Sequence, residues 1–93
     1  KFMSTKEKTS FASETEEKLE DIKSLILYND DVNTFDFVIE ALIDVCEHDP
    51  MQAENCALIA HFKGKCPVKS GTSNELLPYH TEMTNRKLTV EIK

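Results

Sequence analysis

The chain has 93 residues, and 11 Lys and Arg against 17 Asp and Glu give it a formal net charge of −6. This length fits one small domain, and the acidic balance argues against nucleic acid as a partner, because phosphate binding needs a basic surface. No apolar run approaches the roughly 18 residues that span a bilayer, and the N-terminus lacks the layout of a secretory signal. Three cysteines cannot form a closed disulfide framework, so reduced thiols in a cytosol are expected.

Residues 1–23 are predicted to be a flexible N-terminal extension. Ser, Thr, Glu and Lys dominate this segment, and its few apolar residues are scattered. Such a segment buries too little apolar surface to offset the entropy lost on ordering. The packed core domain is therefore expected over residues 24–93. Because the chain begins with Lys1 rather than Met, we expect it to be a piece of a longer protein.

The first half of the core is predicted to be a strand followed by two helices. Residues 24–28 alternate as a β-rich run that is apolar on both faces, which is typical of a buried strand. Asn33 is the expected N-cap of the first helix. Asp49 and Pro50 then favour the start of a second helix, which Gly64 would end in a left-handed C-cap.

The second helix carries two apolar stripes. One consists of small residues and the other of bulky residues, namely Ala53, Cys56, Ala57 and Ala60 in the first and Leu58, Ile59 and Phe62 in the second. One face can thus pack on a sheet while the other meets a neighbour closely or lines a cavity.

The second half is predicted to contain two strands and a short helix. Residues 65–69 favour a strand that Pro67 restricts to a sheet edge. A loop is expected at residues 71–74, a helix from about Pro78 to Asn85, and a final strand in which Leu88 begins the apolar alternation. The order of elements predicts an α+β fold, with a small three-stranded antiparallel sheet covered by three helices.

A calcium loop is one interpretation of the segment after the first strand. Asn29, Asp31, Asn33 and Glu40 stand at relative positions 1, 3, 5 and 12, the ligand spacing of an EF-hand. Position 6 is Thr34, however, where that loop needs Gly for its sharp turn. We therefore expect no calcium site.

Zinc binding and thiol catalysis are further alternatives. The Cys and His residues do not show the close spacing of zinc ligands, and a cysteine on an apolar stripe usually serves as a small buried hydrophobe. Cys56 and His61, five residues apart on a helix, do not share a face. No metal, cofactor or catalytic residue is therefore expected, and a small thiol or metal enzyme ranks last. The candidate pairs are Cys46 with His48, Cys56 with His61, and Cys66 with His80.

The residues Asn29, Asp30 and Asp31 favour a turn, and His61 alone would be a partly exposed histidine bonded to a carbonyl group. Taken together, these four residues also suggest a site that binds a cation. Two carboxylates, an amide and an imidazole at one end of a small apolar cavity can hold a cation. The α-amino group of a peptide, with a pKa of about 7.7 to 8.0, is such a cation at neutral pH.

The sequence of residues 27–38 closely resembles the Asn-Asp-Asp segment of the ClpS family. These bacterial and plastid adaptors deliver N-end-rule substrates to a AAA+ Clp unfoldase and its peptidase. The similarity continues through Ala53, Ala60, His61 and the Gly64-Lys65 turn, covers residues 22–69 well and fits the last strand more loosely. The resemblance implies a non-enzymatic protein of the bacterial cytoplasm. Its implied partners are the N-terminal domain of a ClpA-type unfoldase and substrates that begin with Leu, Phe, Tyr or Trp.

The resemblance also implies the residues of a binding site. Asn29, Asp30, Asp31 and His61 would hold the α-amino group of the substrate. A pocket for its first side chain would be lined by Leu27, Asn33, Phe35, Val38, Ala57, Ala60 and Leu88. The expected molecule is a monomer without nucleic-acid or membrane partners.

Four positions of the expected pocket depart from the family pattern, and Lys69 replaces a glycine that the family carries after the Gly-Lys turn. Asn33 replaces Thr, Phe35 replaces a Met at the gate, Ala57 replaces a Met, and Ala60 replaces a Val. Phe35 can either fill the space left by Ala57 or plug the pocket. The family's docking helix is also replaced by residues 74–79. The alternative function is therefore a regulatory module that docks on the unfoldase without recognising N-terminal residues.

Overall fold

A computed structural model describes residues 21–93 of the chain. Three strands and three helices make up this part, and the strands form one antiparallel sheet in the order β2-β1-β3, which confirms the predicted α+β fold. Residues 1–20 of the predicted N-terminal extension lie outside the described residues, and Lys23 already belongs to the first strand. The elements in chain order are β1 (Lys23–Tyr28), α1 (Phe35–Asp44), α2 (Pro50–Lys63), β2 (Lys65–Gly71), α3 (Ser73–Asn85) and β3 (Val90–Ile92).

Strand β1 is the centre of the sheet, and only one of its faces is fully buried. Leu25 and Leu27 are 0% and 1% exposed, in a core shared with all three helices. On the other face Ile26 and Tyr28 are half-buried, and the Tyr28 hydroxyl donates a 2.7 Å hydrogen bond to Glu91 Oε1. The prediction that both faces are buried is therefore wrong for the second face.

Helix α1 begins one residue later than the sequence indicated. The N-cap is Thr34, whose hydroxyl accepts a 3.1 Å hydrogen bond from the Phe37 N–H, so the prediction of Asn33 as N-cap is wrong. Both residue types can cap a helix. Asn33 instead donates from its side chain to Asp30 Oδ2, which holds it in the preceding loop.

Helix α2 has the predicted ends. Asp49 is the N-cap and accepts from the Gln52 N–H, Pro50 is the first helical residue, and Gly64 adopts a left-handed φ of 94° as the C-cap. The small residues of this helix pack inward, since Ala53, Ala57 and Ala60 are buried. Its bulky stripe is more exposed, at 38% for Leu58, 41% for Ile59 and 75% for Phe62.

Strand β2 is an edge strand, as Pro67 indicated. The prediction of a loop at residues 71–74 and a helix from Pro78 is wrong, because α3 already begins at Ser73. Thr72 and Glu75 form a reciprocal capping box at its N-terminus. This box, with the burial of Leu76 inside the helix, outweighs the backbone hydrogen bond that Pro78 cannot donate.

His48 is a buried residue that hydrophobic periodicity did not predict. Its side chain is 5% exposed, and Nε2 lies 2.7 Å from the carbonyl oxygen of Val68, to which it donates. The link fastens the α1–α2 connection to strand β2.

None of the helices in residues 21–93 has the length and apolar character needed to cross a membrane.

Candidate functional site

The loop after β1 is bonded to the end of α2. The N–H of Asn29 donates a 2.9 Å hydrogen bond to the carbonyl oxygen of Gly64, and Tyr28 pairs with Lys65 in the β1–β2 register. The short turn at Gly64 reverses the chain from α2 into β2, so the C-terminus of α2 lies next to the end of β1. His61, in the last turn of α2, is thereby brought beside the loop.

A single cavity of about 540 Å³ opens at this junction. Its walls come from the end of β1, the following loop, the start of α1 and the second half of α2. Every site residue expected from the sequence lines it except Leu88, which is 4% exposed and belongs to the core. The lining residues are Leu27, Tyr28, Asn29, Asp30, Asp31, Asn33, Phe35, Val38, Ala57, Leu58, Ala60, His61 and Phe62.

Three of the lining residues, Tyr28, Leu58 and Phe62, were not expected in the site. Leu58 and Phe62 are four residues apart on the bulky stripe of α2, so they share a face of the helix. The stripe was visible in the sequence, but only the position of the loop and α1 shows that part of it borders a cavity.

Asp30 organises the loop from within. Its Oδ1 accepts hydrogen bonds from the N–H groups of Val32 and Asn33 at 2.8 and 2.7 Å, and Oδ2 accepts from the Asn33 side chain at 2.9 Å. Burial acts to raise the pKa of Asp30, but these donors outweigh it and the pKa lies below the ordinary value. The carboxylate is therefore charged at neutral pH, and most of its hydrogen-bonding capacity shapes the loop.

Asn33 ties the same loop to the segment before β3. Its side-chain N–H donates to the carbonyl oxygen of Lys87 at 3.0 Å as well as to Asp30. The backbone of Lys87 has a left-handed φ of 70°, which is uncommon for a residue other than glycine. Asn33 lines the cavity, and its amide is also a structural brace between two distant parts of the chain.

The lip of the cavity is rich in groups that suit a cation. Asn29, Asp31 and His61 are exposed there, so their side chains are accessible to a ligand. The C-terminal end of α2 adds the partial negative charge of its last carbonyl groups. Carboxylate, amide and imidazole groups that line one cavity can accept hydrogen bonds from an ammonium group.

The interior of the cavity is apolar. Leu27, Ala57 and Ala60 are nearly fully buried behind the lip, and Val38 is half-buried. The two alanines contribute small side chains, which leaves space beside them. Phe35 is 38% exposed and forms one wall, and the cavity persists with this ring in place.

The thiols lie apart from this cavity, and none of the three is among its lining residues. Burial raises the pKa of Cys46 to about 11 and, together with a hydrogen bond to Cys56, that of Cys66 to about 12. Thiols with such pKa values are poor nucleophiles at neutral pH. In residues 21–93, no three His, Cys, Asp or Glu side chains come together as a group that could hold a metal ion.

Residues 18–91 match the model of a family described as "ATP-dependent Clp protease adaptor protein ClpS". No curated protein matches the sequence. Among solved structures the chain is similar to Agrobacterium tumefaciens ClpS2 bound to L-phenylalaninamide, with a TM-score of 0.75 and 19% identity over 80% of this chain and 96% of that chain. At this identity the likeness establishes the fold.

Proposed function

Because this chain belongs to the ClpS family of ATP-dependent Clp protease adaptor proteins, we propose that it binds the N-terminal residue of its substrates and delivers them to a AAA+ Clp unfoldase. The substrates begin with a bulky apolar residue, namely Leu, Phe, Tyr or Trp. The unfoldase is of the ClpA type and is docked through its N-terminal domain. The adaptor works in the bacterial cytoplasm as a monomer, and it catalyses no reaction itself.

One observation carries this proposal: a polar lip and an apolar interior belong to the same cavity. Asn29, Asp31 and His61 at the lip suit the charged α-amino group, and the Asp30 carboxylate, which also shapes the loop, adds its negative charge to the same site. The first side chain would enter between Val38 and the alanines of α2. Only the first residue of a polypeptide offers a free ammonium group one bond from the carbon that bears its side chain.

The energetics are sufficient for a useful affinity. Burying a Leu or Phe side chain contributes about 1.5 to 3 kcal/mol, and each hydrogen bond to a charged group adds about 1.5 to 3 kcal/mol. Association costs several kcal/mol in lost freedom. Micromolar binding, about −8 kcal/mol, is therefore the expected range.

The ligand bound to the structural relative supports the same chemistry. L-phenylalaninamide combines an α-amino group with an aromatic side chain. Both groups have counterparts in this chain, namely the lip around His61 and the interior beside Ala57. The amidated carboxyl group of that ligand resembles the peptide bond that would follow in a substrate.

Isothermal titration with a Phe-initiated peptide tests the proposal. The control is the same peptide with an acetylated N-terminus, which lacks the positive charge of the α-amino group and is otherwise identical in sequence. We expect micromolar binding of the free peptide and no measurable binding of the acetylated one, because the acceptors at the lip would lose their ion. Equal affinity for both peptides would refute the amine site. Retention on immobilised unfoldase without any peptide binding would instead favour the regulatory module.

A further inference from the structure

Three bulky apolar side chains remain exposed around the mouth of the cavity. Phe62 is 75% exposed, and Phe35 and Leu58 are each 38% exposed. We call this set the apolar rim. Exposed apolar groups bordered by polar residues commonly mark a surface that binds a partner. The ligand region therefore extends beyond the buried interior of the cavity.

The rim begins directly at the amine end of the site. The ring of Phe62 stands edge-on to the ring of His61, with centroids 4.9 Å apart and an interplanar angle of 77°. Leu58 lies one helical turn before Phe62 on the same face of α2. Phe35, the first residue of α1, approaches the same cavity from the other side.

The size of the cavity exceeds what one side chain requires. Cavities of about 300 to 1,000 Å³ typically hold ligands with several functional groups, and this one has about 540 Å³. The interior beside Ala57 and Ala60 accounts for the first side chain. Leu58 and Phe62 of the rim also line this cavity, where they can cover a second side chain.

Building on the proposed function, we propose that Phe62 and Leu58 form a second subsite that selects an apolar side chain at the second residue of the substrate. Phe62 is the direct neighbour of His61, with the two ring centroids 4.9 Å apart, and the second Cα atom of a peptide lies only 3.8 Å from the first. The second residue of a peptide whose α-amino group lies at His61 is therefore within reach of Phe62. An apolar side chain there covers the exposed ring, whereas a polar one leaves it in water.

The experiment compares two free-amine peptides that differ only at the second residue, Phe-Leu and Phe-Ser, by isothermal titration. We expect the wild-type chain to bind the Phe-Leu peptide about fivefold more tightly. Phe62→Ala should reduce this ratio to about one. The matched control is Met51→Ala, because Met51 is also exposed on α2, at 71%, but does not line the cavity. The control should keep the fivefold ratio, and Leu58→Ser should reduce it in part.

The outcomes separate this inference from the function on which it rests. If both free-amine peptides bind the wild type with equal affinity, the second subsite is refuted and the amine site stands. If neither binds, both proposals fail. A dimer in sedimentation that Phe62→Ala dissociates would also refute the subsite, because a second copy of the chain would then cover the rim. An unchanged ratio in Phe62→Ala would refute the assignment to that residue.

Discussion

The N–H of Asn29 donates a 2.9 Å hydrogen bond to the carbonyl oxygen of Gly64, and this bond joins the acidic loop to the helix that carries His61. Gly64 can occupy that place because it adopts a φ of 94°, which ends α2 and turns the chain into β2. The geometry of the proposed amine site therefore depends on a backbone contact as much as on the side chains that surround the ligand.

Gly64→Ala should lower the free energy of unfolding by about 1 to 2 kcal/mol, the cost of a left-handed conformation for a residue with a Cβ atom. A Cβ at this position meets no atom within 4 Å, so backbone strain alone is measured. Urea denaturation followed by circular dichroism provides the test. Asn55→Ala, at an exposed position within α2, should cause no loss. An equally stable Gly64→Ala variant would show that the strained turn is not needed.

His61→Ala should weaken binding of a Phe-initiated peptide about tenfold, since one hydrogen bond to a charged group contributes about 1.5 to 3 kcal/mol and exposure reduces this. His80→Ala is the matched control, because this half-buried histidine on α3 does not line the cavity. Titration calorimetry measures both variants. Equal effects of the two substitutions would place the imidazole outside the amine site.

Ala57→Leu should reduce affinity for Trp- and Phe-initiated peptides more than for Leu-initiated peptides, because the added carbon atoms occupy the interior of the cavity. The wider aromatic side chains would then be excluded first. Competition titration against a fluorescent Phe-initiated peptide gives the order of preference. Asn55→Leu adds the same side chain on an exposed part of α2 and should leave the order unchanged. An unaltered preference in Ala57→Leu would mean that the first side chain binds elsewhere.

Stability should fall at acidic pH in part through Asp30. Its folded-state pKa is lower than the ordinary value of 3.8, since hydrogen bonds from Asn33 and Val32 outweigh the effect of burial. A carboxyl group whose pKa is lowered by folding stabilises the fold fully at pH values above its unfolded-state pKa. This stabilisation is lost as the pH falls through its folded-state pKa. The free energy of unfolding should therefore decline below about pH 4.

Asp30→Asn provides the corresponding comparison, because the amide oxygen can still accept from the loop N–H groups but does not titrate. This variant should show a smaller decline than the wild type in denaturation at pH 6, 4 and 3. Glu54→Gln, an exposed change on α2, should follow the wild type. Parallel curves for all three proteins would contradict a role of Asp30 in the acid response.

The three thiols should differ in reactivity. Cys46 and Cys66 are 2% and 4% exposed, and their pKa values of about 11 and about 12 leave little thiolate at pH 7.5. Cys56 is half-buried and should be alkylated first by iodoacetamide. Mass spectrometry of digested samples, with a urea-unfolded control in which all three react, measures the order. Rapid native labelling of Cys46 or Cys66 would show that the core opens readily.

Local sequence signals account for much of the fold. The sequence predicts strand β1, the start of α2 at Asp49-Pro50 and its end at Gly64. These features are predictable because capping and left-handed turns depend on residues a few positions apart. The start of α3 is an exception: Pro78 favours a helix start at its own position, but the capping box of Thr72 and Glu75 begins the helix at Ser73.

The sequence by itself determined the strands and helices, the expected chemistry of Asn29 to Asp31, and a resemblance that the family match bears out. The resemblance implied that His61 acts with this loop, but only the tertiary structure decided that both line one cavity, that Leu88 packs in the core, and that Phe62 stands exposed beside His61. The physical reason is that these relationships depend on the pairing of β1 with β2 and on the packing of α1 and α2. Such contacts join residues far apart in the chain and leave no local pattern by which the sequence could indicate them.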